Sequence, residues 1–275
     1  FFKQKTAYEI SRSDWSSDVC SSDLRAWAAV YSLPMCGRYA QAQGMDEIIE
    51  RFDLDASLVD KSLPLNWNIA PTNEIYIIRD NQQDRILDSA SWGLIAPWQK
   101  NFTEARNSQS HAINARSESI HEKPTFRQAF RTTRCLIPAT GYYEWATSLG
   151  KYPPKQPFYI SSAADNTSLS IAGIWSTWKN ENGGEIQSAA IITREAVGEL
   201  ATIHSRMPVF MPSDRWDTWL DPQNREIETL IALMDIPDPA RALVTRPVAP
   251  RVNLVANNGP ELIDPFELGE AQTLF

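Results

Sequence analysis

The sequence predicts an α+β domain whose strands run mostly antiparallel. Three observations carry that expectation. Short runs rich in β-branched and aromatic residues recur along the chain, bounded by turn residues. They lack the regular strand–helix–strand spacing of a parallel sheet. Between two of them lies Asn182-Gly183-Gly184, a strong hairpin-turn sequence.

Residues 1–34 carry serine and aspartate clusters and no sustained period. A secretion reading founders on the shortness of the apolar run Ala26–Val30 and on the bulk of Met35 before Cys36. The stretch Asp14–Leu24, DWSSDVCSSDL, resembles the translation of a common sequencing-library adapter. Residues 1–34 are therefore expected to be a non-native or disordered extension, with the domain at 35–267 and a tail at 268–275.

Within the domain, Met45–Phe52 reads as an amphipathic helix with Ile48, Ile49 and Phe52 on one face. Strands are expected at Ile75–Arg79, Ile86–Trp92, Cys135–Pro138, Tyr142–Trp145, Phe158–Ser161, Ser168–Thr177 and Ile186–Thr193. Helices are expected at Arg194–Thr202, Ser213–Leu220 with Ser213 as N-cap, and Arg225–Met234. The proline-rich pieces Lys151–Pro157 and Pro237–Pro250 read as loops, and Asn114-Ala115-Arg116 as a polar loop after His111.

Composition narrows the function. With 43% apolar residues and ten tryptophans the chain can build a substantial core; Trp175, Trp216 and Trp219 sit at packing positions. No run of about 20 apolar residues is present to span a membrane. Cys20, Cys36 and Cys135 have neither metal-ligand spacing nor an even disulfide count, which fits a reducing compartment. A net charge of −8 argues against tight, unselective nucleic-acid binding. From Glu104 to Arg134, however, Arg106, Arg116, Lys123, Arg127, Arg131 and Arg134 outnumber Glu104, Glu118 and Glu122, so a local basic groove is expected.

Four side chains carry chemistry. If Met35 is removed, Cys36 presents an α-amine (reference pKa about 8) and a thiol (about 8.5) on one residue. Together these condense with an aldehyde, first to a Schiff base and then to a five-membered thiazolidine. By position alone Cys36 reads first as a small buried hydrophobe. Glu144 lies between Tyr143 and Trp145, either desolvated for acid–base work or facing solvent. His204 follows a helix and reads as a cap or an acid–base group. Asn114 reads as a turn residue or a ligand contact.

The separated segments MCGRYA (35–40), NIAP (68–71), WGLIAPW (92–98), INARSES (113–119), KPTFRQAF (123–130), RCLIPATGYYEW (134–145), IHSRMP (203–208) and NNGPELI (257–263) give the chain from Met35 onward a clear resemblance. It is similar to the SOS-response-associated peptidase (SRAP) family, the abasic-site DNA–protein crosslinking proteins. Thr140 stands where that family usually has aspartate. The resemblance implies a single SRAP-like domain with its strands in a barrel-like sheet and flanking helices. It implies that Cys36 captures abasic sites in single-stranded DNA as a thiazolidine, after autoproteolytic removal of what precedes it. Asn114 would position the sugar, Glu144 shuttle protons and His204 assist ring opening. Arg38, Arg116 and Arg206 would hold phosphates. Pro71 and Trp98 would form a wedge at a strand junction, and Asn68 would line the pocket. No metal, organic cofactor, membrane or required protein partner is implied, and a cytoplasmic, DNA-associated location is expected. A thiol hydrolase using Cys36, His204 and Asn114, or a noncovalent single-strand-binding module, would use the same residues.

Overall fold

The computed structural model describes residues 36–59, 61–81, 84–147, 152–164, 167–180 and 182–268, which belong to one compact unit. The expectations for residues 1–34, for Met35 and for the tail beyond 268 lie outside the described residues.

The strands are β1 (Arg38–Gln41), β2 (Asn66–Ile69), β3 (Glu74–Asp80), β4 (Arg85–Trp92), β5 (Asn114–Arg116), β6 (Arg134–Ala139), β7 (Gly141–Trp145), β8 (Pro157–Ser162), β9 (Leu169–Lys179), β10 (Glu185–Glu195), β11 (Arg206–Pro208) and β12 (Leu243–Pro247). The α-helices are α1 (Met45–Phe52), α2 (Phe102–His111), α3 (Pro124–Thr132), α4 (Trp216–Leu220) and α5 (Ile227–Met234). Five strands close a barrel in the order β10-β4-β3-β6-β9, because β9 pairs with β6 along one edge and with β10 along the other. Side chains of β6 fill the space over Gly173 of β9: a Cβ there would lie 2.8 Å from Ile137 Cδ1 and 2.9 Å from Cys135 Sγ, so a larger residue would force them to shift. The other strands form an antiparallel sheet, β12-β8-β7-β1-β2. The chain passes from barrel to sheet at Thr140, whose N–H and hydroxyl both donate to the Ala40 carbonyl at 2.8 and 3.0 Å.

Strand alternation divides the core. Leu136, Ile174, Ala190 and Ile192 face the helices and pack with Ile48, Phe52, Phe130, Trp216 and Trp219. Cys135, Ile137, Ile171, Ala189 and Ile191 face the other way and pack with Tyr39, Trp92, Tyr142 and Phe158. At about 25 cal/mol per Å² of apolar surface, large buried aromatics such as Trp92 and Trp219 are each worth several kcal/mol to this packing.

All seven expected strands form, most of them one or two residues longer, and α1 has the expected bounds. The turn at Asn180–Gly184 joins β9 to β10, with Gly183 at φ 80°. Four expectations are corrected. The helix over Arg194–Thr202 is replaced by the end of β10, where Arg194 and Glu195 pair with Met207 and Arg206 of β11, and by a 3-10 helix at Gly198–Thr202. Ser213 is not an N-cap: it opens a 3-10 turn after Pro212 with no side-chain cap, and α4 begins at Trp216. Within the proline-rich stretch 237–250, Leu243–Pro247 pairs with β8 as an edge strand. The Asn114-Ala115-Arg116 loop is strand β5, running parallel to β10. The pairing is thus mostly antiparallel, with β4 and β5 parallel to β10. Among the described residues no helix is long and apolar enough to cross a membrane.

Candidate active site

Four chain segments converge at the end of the barrel where β5 and β11 flank the last residues of β10. Cys36 immediately precedes β1, Asn114 opens β5, Glu144 lies near the end of β7, and His204 sits just before β11. Main-chain bonds hold these pieces together. Thr147, after β7, donates to the Ile203 carbonyl at 3.0 Å, and Ala196, after β10, donates to Ser205 at 3.0 Å. The first residue of β7, Gly141, has no room for a side chain, since a Cβ there would lie 2.4 Å from the Tyr159 ring and 2.6 Å from the Ile160 carbonyl.

The four side chains are all buried: Cys36 is 1% exposed, Glu144 and His204 3%, and Asn114 5%. Asn114 Nδ2 donates to the Cys36 carbonyl at 3.0 Å, while its Oδ1 is buried without a partner. Both Glu144 carboxylate oxygens are likewise buried without a hydrogen bond of ordinary geometry. They face the thiol and main-chain nitrogen of Cys36, and the His204 ring, whose Nδ1 is 3.6 Å from Oε2. Burial pushes the Glu144 carboxyl well above the usual carboxylate range, and contact with Cys36 offsets this only in part. Burial, followed by the charge of Glu144 and a hydrogen bond to it, pushes the Cys36 thiol well above its ordinary value. His204 Nδ1 accepts from the Arg206 N–H at 3.1 Å, which assigns the proton of the neutral ring to Nε2. A carboxyl pushed toward its acid form, a shielded thiol and the Asn114 amide therefore converge on Cys36.

The remaining expected residues fall in three places. Arg206 donates to both Glu118 oxygens at 2.6 and 3.0 Å and to the Thr193 carbonyl at 2.7 Å, and Arg116 ends β5 with its side chain exposed. Arg38 is the cross-strand partner of Tyr143, so it points to the sheet face opposite Glu144. Its Nη1 donates to Asn68 Oδ1 at 2.8 Å and to the Val252 carbonyl at 2.9 Å. Asn68 is 1% exposed and donates to the carbonyls of Val252, Leu254 and Asn257 at 3.2, 3.0 and 2.9 Å. It is a staple beneath Arg38, with no surface left to line a pocket. Pro71 lies half-buried in the turn after β2, beside Thr72 at φ 72°, and Trp98 is 52% exposed in the loop before α2. The basic run between Glu104 and Arg134 loses one member: Arg134 is 2% exposed and is a core residue.

Two residues not singled out by the sequence stand against this constellation. Tyr142 shares the Glu144 face of β7, and its hydroxyl is raised well above its ordinary value by burial and by the charges of Cys36 and Glu144. The signal was the two-residue strand period. Glu118, in the INARSES segment, holds Arg206; no sequence signal linked residues so far apart.

The family profile described as SOS response associated peptidase (SRAP) matches residues 35–255. The abasic site processing protein YoqW of Bacillus subtilis (strain 168) is 34% identical over 230 residues, which are 84% of this chain and 99% of that protein. HMCES of Rattus norvegicus, also named an abasic site processing protein, is 31% identical over 213 residues, 68% of this chain and 59% of its own. A crystal structure of a Bacteroides thetaiotaomicron protein superposes with a TM-score of 0.72 at 23% identity, covering 84% of this chain and all of that one, and shares the fold. This chain belongs to the SOS response associated peptidase (SRAP) family.

Proposed function

We propose that this chain captures abasic sites in single-stranded DNA by a covalent bond to Cys36, after the residues preceding it are removed and its amine is freed. The observation that carries the reading is the contact of both Cys36 groups, main-chain nitrogen and thiol, with one buried carboxyl, that of Glu144. The YoqW and HMCES relatives, both named for abasic-site processing, supply the substrate class.

His204 hydrogen-bonds the deoxyribose ring oxygen from Nε2; the proton of the anomeric hydroxyl passes to that oxygen as the ring C–O bond breaks, and the sugar opens to its aldehyde. The Cys36 amine adds to the aldehyde carbon and a proton shift gives a carbinolamine. Protonated Glu144 then gives its proton to the hydroxyl, which leaves as water, and an iminium remains beside a carboxylate. That carboxylate takes the thiol proton as sulfur adds to the same carbon. The net reaction joins aldehyde and aminothiol into a thiazolidine, releases one water and returns Glu144 to its acid form. Ring closure removes the iminium that would promote strand cleavage. Because amine and thiol belong to one residue, closure is intramolecular, worth several kcal/mol of barrier. Asn114 holds the Cys36 carbonyl with its amide nitrogen and offers Oδ1 to a sugar hydroxyl. Arg116 and Arg206 hold phosphates, Arg38 does so on its Asn68 seat, and Pro71 and Trp98 separate the strands. The same site hydrolyses the peptide bond before Cys36 to free the amine.

The hydrolase alternative places Asn114 behind an imidazole and a thiolate against it. Here the Asn114 amide goes to the Cys36 carbonyl, and the thiol is held protonated against Glu144, so the geometry favours condensation.

The test is a denaturing gel with single-stranded DNA carrying one abasic site. Protein starting at Met35 and processed to Cys36 should give a shift that resists denaturation, whereas Cys36→Ala and protein with an acetylated N-terminus should not. A shift that survives acetylation sinks the thiazolidine and favours simple thiol chemistry. No shift from any form sinks covalent capture.

A further inference from the structure

A second cavity, away from Cys36, has no part in the chemistry above. It encloses about 480 Å³ between the start of β9, the segment after β11 and the turn before β12, within the size range of small-molecule sites. Its walls include Leu169, Phe210, Met211, Trp216 and Leu243. Among these apolar groups, Ser170 is 8% exposed, and its hydroxyl is buried with no hydrogen-bond partner. Neighbouring Ser168 is different, because its hydroxyl is taken up by Gln43.

The charges at the opening narrow the ligand. Arg51 of α1 and Arg241 line it together with Asp238, so two guanidinium groups oppose one carboxylate. Asp238 itself is held at φ 46°, a left-handed conformation that its neighbours must enforce, with the Arg241 N–H on its carbonyl at 3.1 Å. One net positive charge suits a monoanion; a dianion would meet the Asp238 carboxylate with charge left over. The apolar walls suit an aromatic or aliphatic body.

We infer that this cavity is a binding site for an apolar organic monoanion, its body against Phe210 and Met211 and its charge between Arg51 and Arg241. Phe210 lines this cavity and its ring centroid lies 6.2 Å from that of Tyr142, so the two sites are neighbours.

Fluorescence titration with anilinonaphthalene sulfonate, an aromatic monoanion, tests this. One saturable site is expected, and binding should weaken by about tenfold in Arg241→Glu and in Arg51→Glu. Both side chains are exposed, so neither change threatens folding. Neutral phenylnaphthylamine should bind more weakly than the sulfonate, and Cys36→Ala protein should bind the sulfonate unchanged. Absence of saturable binding overturns the inference. So does binding indifferent to both arginine changes, or binding lost in Cys36→Ala, which would put the probe at the reactive cysteine.

Discussion

Two regions of this molecule bury an ionisable side chain to the same degree and treat it in opposite ways. Arg134 is 2% exposed, and every arm of its guanidinium is used: Nε donates to the Trp219 carbonyl at 2.6 Å, Nη1 to Phe130 at 2.9 Å, and Nη2 to Asp221. Its plane lies 5.8 Å from the Trp219 ring. Glu144 is 3% exposed, and neither oxygen has a bond of ordinary geometry. Burial alone moves both groups toward their neutral forms, Arg134 down to about 10 and Glu144 well above the carboxylate range. A buried charge with complete partners welds elements together, here α3, α4 and β6. A buried acid without them is retained at a cost to stability, and the proposed chemistry gives it a use.

That contrast makes opposite demands on substitution. Glu144→Gln keeps the shape and removes the proton. Adduct formation should slow by about 10²- to 10⁴-fold, the usual worth of a positioned acid–base group, in a gel time course. Stability should move the other way. The folded-state pKa of Glu144 lies above its unfolded value, so in wild type the folded protein holds a proton the unfolded chain has lost. Stability is therefore full below about pH 4.3 and declines as pH rises from there through the folded pKa. Glu144→Gln lacks that decline, so its melting temperature should equal or exceed wild type at pH 8. A variant that crosslinks at the normal rate would reduce Glu144 to a structural group.

Arg134→Met does the reverse. Three buried carbonyls lose their donor, costing about 3 kcal/mol or more, and chemical denaturation should show it. The adduct rate per folded molecule should be unchanged. A slower rate in protein shown to be folded would mean that the two regions are coupled.

This distinction was only half legible in the sequence. The β-branched runs that became β3, β4, β6, β8, β9 and β10 advertise themselves, and so does α1, because Ile48 and Phe52 repeat at helical spacing. Strand β5 does not: three residues with one buried alanine cannot show alternation, and their strand character comes from pairing with Ile191–Thr193. Helix α2 buries only Ala105 and Gln109, so it has no apolar stripe to read. The extension of β10 over Arg194 and Glu195 is likewise decided by β11, whose paired residues Met207 and Arg206 lie well downstream along the chain. At the site, the motifs name Cys36, Asn114, Glu144 and His204, but whether Glu144 faced water or the interior rested on a sheet register no single strand reveals. Arg134 reads as one more charge in a basic run until the carbonyls around it are known.

A smaller effect is expected where a polar group is satisfied but serves another residue. Asn68→Ala removes three bonds to the carbonyls at 252, 254 and 257 and the support of Arg38. Stability should fall by about 1–3 kcal/mol. Adduct yield should fall only at low DNA concentration, because the proposed function gives Arg38 a part in binding and none in the chemistry. If yield falls equally at saturating DNA, Asn68 acts on the reacting atoms after all.

The smallest effect belongs to Arg206, which stands between the two cases. Its fork is occupied, yet by Glu118, a half-exposed carboxylate that presents the same pair of oxygens as a phosphate. On the proposed reading, DNA and Glu118 compete for one guanidinium. Cys36→Ala protein isolates the noncovalent step, and its affinity for single-stranded DNA can be followed across salt concentrations. Arg206→Ala should lower the slope of log affinity against log salt by about 0.7, the signature of one lost phosphate contact on a single strand. Glu118→Gln should leave that slope in place and raise affinity severalfold, since the fork no longer has to be released first. Unchanged slope in Arg206→Ala would make the Arg206–Glu118 pair a brace of the same kind as Arg134.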